Sequence, residues 1–139
     1  MGMDATITVL TASERRKKPR PPGLPQFDLG RAWSDLESAL QELGGPAGLA
    51  LRGSKPVLEE EFDMDDFFVA TPAQVKRINA ALGKVADAEL LEAIHRQRKE
   101  IGPPLRKYEH KGLIAAFDTL KAAYRLAARK GAYLEILFC

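Results

Sequence analysis

Residues 59–66 (EEEFDMDD) crowd six carboxylates into eight positions, the densest acidic cluster in the chain. Calcium loops need oxygen ligands at alternating positions and a glycine for the sharp turn. Glu61, Asp63 and Asp65 do alternate, but the stretch has no glycine, and Phe62 and Met64 interleave. Calcium is therefore set aside in favour of a solvated acidic loop or a contact surface for a basic partner. Glu59, Glu60, Glu61, Phe62, Asp63, Asp65 and Asp66 are the candidate partner-binding residues. Opposite in sign is the segment 13–25 (SERRKKPRPPGLP), with Arg15, Arg16, Lys17, Lys18 and Arg20 among four prolines. Proline density of this kind excludes helix and central strand, so a flexible, solvated loop is expected, or one that grips a partner through charge.

Other chemistries lack their residues. His95, His110 and Cys139 are the only imidazoles and thiol, and no CxxC, HxxxH or HExxH spacing joins them, so no metal site is expected. A nucleophile elbow is missing, and Cys139 has no base near it in sequence. Residues 44–48 (GGPAG) are glycine-rich but follow a helix and lack the lysine of a phosphate loop. Tyr108, Glu109 and His110 form the one small acid–base constellation, although sequence neighbours usually point apart. No cofactor is implied.

These residues need a scaffold, and 139 residues make one domain that buries about two-thirds of its unfolded surface. With 45% hydrophobic and 29% charged residues the chain reads as a soluble globular protein. Its net charge of +2, evenly spread, argues against nucleic acid, which needs a basic stripe. The apolar runs are too short to span a membrane, and no charged region precedes the N-terminal apolar run as in a signal peptide. A single cysteine fits a reducing compartment, so a cytoplasmic location is expected.

Alternating β-branched residues predict a strand at 5–11 and an apolar strand at 132–138, paired with one another. Leu134, Ile136 and Phe138 fall on one face of the latter, and Tyr133, Glu135 and Leu137 on the other. Helical spacing predicts a helix over 28–43, capped by Asp28, with Leu29, Trp33, Leu36, Leu40 and Leu43 inward. Trp33 reads there as a core anchor. A short strand is expected at 49–51. Thr71, Pro72 and Gln74 announce a helix over 72–82: a cap, a residue whose missing N–H costs nothing, and a side chain that reaches back. Another helix is expected over 88–100, capped by Asp87, then a proline-broken connection at 102–111. The last helix carries Leu113, Phe117, Leu120, Tyr124 and Ala127 in one stripe and ends at Gly131. The fold class is α+β, a small sheet including both terminal strands, covered by about four helices.

The order of Leu29-Gly30-Arg31-Ala32-Trp33, Leu49-Ala50-Leu51-Arg52-Gly53, Phe68-Val69-Ala70-Thr71-Pro72-Ala73-Gln74-Val75 and Ala122-Ala123-Tyr124-Arg125 before Gly131 resembles the YfbM-like bacterial family, a domain of unknown function. The resemblance covers residues 29–138. Members usually have a histidine one turn after the tryptophan, where this chain has Glu37, so no site resting on that histidine carries over. They also often have a tyrosine–proline pair where this chain has Ile101-Gly102-Pro103-Pro104. The resemblance implies no reaction. Small bacterial domains of this kind recur as immunity proteins, and that association, with the two oppositely charged segments, gives the leading expectation: a cytoplasmic module that binds a protein partner, a cognate toxin. The alternative is a small enzyme or small-molecule-binding domain with a pocket near Trp33, Glu37 and Tyr108, Glu109 and His110.

Overall fold

The computed structural model describes residues 4–51, 67–101 and 106–138. The acidic run at 59–66 lies outside the described residues. Four strands, β1 (Ala5–Leu10), β2 (Gln26–Gly30), β3 (Phe67–Ala70) and β4 (Tyr133–Phe138), form an antiparallel sheet in the order β2-β1-β4-β3. Among the described residues, five α-helices accompany it: α1 (Ala12–Arg16), α2 (Trp33–Leu43), α3 (Pro72–Leu82), α4 (Asp87–Ile101) and α5 (Lys107–Lys130). The architecture is α+β.

Strands β1 and β4 occupy the middle of the sheet, where both of their edges are paired. β1 and β4 pair from Ala5↔Phe138 to Leu10↔Tyr133, the expected partnership. Alternation then sorts side chains by face. Ala5, Ile7, Val9, Leu134, Ile136 and Phe138 join the buried core beneath the helices. Helices α3 and α5 lie against this face and against each other, α2 packs on α5, and α4 packs on α2. Helix α5 supplies the largest buried side chains, Phe117 and Tyr124, on the expected stripe. The Tyr124 hydroxyl donates to the carbonyl of Ala50, and burial pushes its pKa above the ordinary tyrosine value. Trp33 is half-buried, its ring 4.5 Å from that of Phe138.

Local signals decide the helix ends. Thr71 Oγ1 accepts from the N–H of Gln74, and the Gln74 side chain accepts from the N–H of Thr71, closing the expected capping box. Gly131 takes φ +62° and terminates α5 with a left-handed residue, a conformation costly for any side chain bearing a Cβ.

Five expectations are corrected. Residues 12–16 are helical, because the prolines begin only at Pro19 and Thr11 with Glu14 forms a second capping box upstream of them. The segment assigned to the start of a long helix at Asp28 is strand β2. Asp28 Oδ1 accepts from the N–H of Gly30 at 2.8 Å, Gly30 adopts φ +64°, and the helix begins only at Trp33. Leu29 is buried through strand alternation instead. At 46–49 the chain forms a 3-10 turn, with Ala50 and Leu51 buried after it, in place of a strand at 49–51. Helix α5 starts at Lys107, so Tyr108, Glu109 and His110 belong to its first turn and not to a connection. Finally, α4 begins at Asp87 itself, with Glu89 accepting from the N–H of Ala86.

Candidate functional site

The face of the sheet turned away from the core meets the basic segment 15–20. Strand register places Gln26, Thr8, Glu135 and Val69 in one row across β2, β1, β4 and β3. Outward-facing positions of a sheet are normally solvated, yet Glu135 is only 4% exposed. A buried carboxylate requires a compensating cation and hydrogen bonds. Both come from the basic segment, which folds back across this face.

Helix α1 aims Arg15 at the strand, where its Nε donates to Glu135 Oε2 at 2.9 Å. The same guanidinium lies 4.4 Å from the centroid of the Tyr133 ring, a cation–π contact. Arg20 engages both carboxylate oxygens, Nη1 donating to Oε1 and Nη2 to Oε2 at 3.1 Å. This planar fork is the geometry that lysine cannot reproduce. The hydrogen bond to Glu135 holds the pKa of Arg20 above its ordinary value, so it stays cationic.

The segment is held at both ends as well. Thr11 and Glu14 close its beginning, and the carbonyl of Pro25 accepts from the N–H of Val9 at 3.0 Å, extending the β1–β2 ladder. Glu14, half-buried, has its pKa lowered chiefly by the Thr11 N–H it accepts. The expectation of a flexible loop is replaced by a pinned arm, and Arg16, Lys17 and Lys18 are presented from it to solvent. Five cations at 15–20 against Glu14 and Glu135 leave a surplus of three positive charges, more than the +2 of the entire chain. The charge is thus not evenly spread. Beside the arm lies a cavity of about 440 Å³ lined by Thr8, Arg20, Pro21, Pro22, Gly23, Leu24 and Gln26.

The other sequence-derived constellation separates. Tyr108 is 66% exposed, and Glu109 accepts from the N–H of Arg106 at 3.0 Å as a helix cap. His110 turns inward, its ring 5.1 Å from that of His95 on α4, and its Nε2 is buried with no hydrogen-bond partner among the described residues. The cavity that His110 lines, about 350 Å³, runs along Lys111, Ile114, Ala115 and Asp118 and includes neither Trp33 nor Glu37. Among the described residues no three potential metal ligands converge. Sequence reasoning missed Glu135, Thr8 and Gln26. A single carboxylate within the apolar strand YLEILF was the available signal.

A family model described as "Domain of unknown function (DUF1877)" matches residues 4–137. The chain belongs to this family. The DUF1877 assignment bears out the YfbM-like resemblance read from the sequence. The crystal structure of YfbM from Escherichia coli, a protein of unknown function, matches with a TM-score of 0.72 over 98% of this chain and 99% of that one. At 14% identity that likeness concerns the fold. None of the curated proteins compared matches the chain. Among the described residues, no helix is long and apolar enough to cross a membrane.

Proposed function

We propose that this DUF1877 protein is a binding module, most concretely a cytoplasmic immunity protein that binds and neutralises a cognate bacterial toxin. The observation that carries the reading is the pinned basic arm. Ordering a cation-rich loop on binding costs conformational entropy, and an arm fixed in advance by Glu135 avoids that cost. A surplus of like charge on one face also steers an oppositely charged partner and raises its association rate. The partner surface meeting Arg16, Lys17 and Lys18 is accordingly acidic. Residues Glu59, Glu60, Glu61, Phe62, Asp63, Asp65 and Asp66 are proposed as a second contact of opposite sign, with Phe62 as an apolar anchor. Occlusion needs an interface of roughly 1,600 Å² and no chemistry of its own.

The test is co-expression with a toxin-like product encoded next to this chain, followed by co-purification and association kinetics. Reversing Arg16, Lys17 and Lys18 to Glu is expected to slow association by about tenfold at low salt and to flatten its salt dependence. Reversing Glu60, Glu61, Asp63 and Asp65 to Lys is expected to do the same from the other contact. Failure to co-purify, or unchanged association rates at low and high salt in both variants, overturns the reading.

A further inference from the structure

We propose that the cavity between the arm and β1 is a carboxylate-binding subsite that receives an acidic side chain of the protein partner. The proposal rests on the binding reading above and names the chemistry of one contact within it.

The walls supply donors. A guanidinium has five N–H groups. Glu135 takes two of those on Arg20, leaving the others for a ligand in the cavity that Arg20 lines. Thr8 and Gln26 stand side by side on the same face of β1 and β2 and line the same cavity, adding a hydroxyl and an amide. Among the described residues, none that line the cavity is acidic. Charge favours an anion. Glu135 compensates one of the two arginines that hold it, so the site keeps one net positive charge from this trio, with Arg16, Lys17 and Lys18 close by in sequence. A carboxylate there makes charge-assisted hydrogen bonds, which are stronger than neutral ones. Shape favours a side chain. Pro21, Pro22 and Leu24 give the cavity apolar walls that suit the methylenes of a glutamate, whereas inorganic phosphate has no apolar part to place against them.

The experiment follows backbone amides of the full chain by NMR during titration with an end-blocked Gly-Glu-Gly peptide, with Gly-Gln-Gly and with inorganic phosphate. Saturable shifts at Thr8, Gly23, Leu24 and Gln26 are expected for the Glu peptide and none for the Gln peptide. Gln26→Glu places a carboxylate of the chain's own at the site and should weaken peptide binding roughly tenfold. Thr8→Val keeps the side-chain shape, removes one donor and should weaken it by about threefold. Both variants leave Arg15, Arg20 and Glu135 intact, and unchanged amide positions elsewhere report an intact fold. If phosphate saturates the same amides at lower concentration than the peptide, the site serves free anions and the proposal falls. It falls too if no titrant gives saturable shifts. Failure of the subsite is distinguishable from failure of the binding reading. A toxin bound equally well by the Gln26→Glu variant, but more slowly by the Arg16, Lys17 and Lys18 reversal, removes the subsite alone. A protein that captures no toxin removes the binding reading, and the peptide titration still judges the subsite.

Discussion

A carboxylate in the middle of an apolar strand has to be compensated, and Glu135 is compensated by guanidiniums 120 and 115 positions away in sequence. Removing it by Glu135→Ala leaves two half-exposed arginines without their acceptor. The expected cost is about 1–3 kcal/mol, at the modest end for a charged network because both arginines reach solvent. The more specific outcome is release of the arm, measured as faster tryptic cleavage after Arg15, Arg16 and Lys17. Tyr124 gives a second residue-scale prediction. Its buried phenol has a raised pKa, so the folded state retains a proton that the unfolded state releases above about pH 10. Stability contributed this way is complete below the unfolded value and declines as pH rises beyond it. Tyr124→Phe should lessen that alkaline decline in thermal melts. It should also cost about 1–3 kcal/mol at neutral pH, because the Ala50 carbonyl loses its donor. The facing of both residues was legible in periodicity alone. Their partners were not, since pairing across the whole chain leaves no local trace.

At the scale of elements, legibility followed the caps. Thr71, Pro72 and Gln74 fix the start of α3 through contacts three residues apart, which a sequence displays directly. Thr71→Ala should therefore lower stability by about 1 kcal/mol, read as a drop in melting temperature. The same box at Thr11 and Glu14 is masked in the sequence by the prolines that follow it at 19–25. Strand β2 is masked for a related reason. Asp28 has the chemistry of a helix cap, but it uses its oxygen on Gly30 in a strand-ending turn. Such ambiguities are settled by tertiary pairing, here the ladder between β1 and β2. The acidic candidates at 59–66 lie outside the described residues, and the sequence displays the charge of the arm but not its place against Glu135.

At the scale of the whole molecule, helices α2 to α5 gather on one side of the sheet while the arm, with α1, crosses the other face. Phe117, fully buried at the helix–sheet contact, should cost about 3–5 kcal/mol when truncated to Ala, measured by denaturant unfolding. Trp33→Ala should fall at the lower end of that range, because its ring is only half-buried against Phe138. Deleting 132–138 removes a strand paired on both edges, so it should abolish soluble expression instead of merely lowering a melting temperature.

Synthesis meets a difficulty in this strand order. A ribosome delivers β1 and β2 early, but the neighbour that completes the other edge of β1 follows only after α5. A two-stranded hairpin is marginal in water, and helices made meanwhile have no finished sheet on which to place their apolar faces. Nascent chains should consequently stay protease-sensitive through the emergence of α5. Resistance should appear abruptly once Phe138 has cleared the exit tunnel, which stalled chains of graded length would reveal.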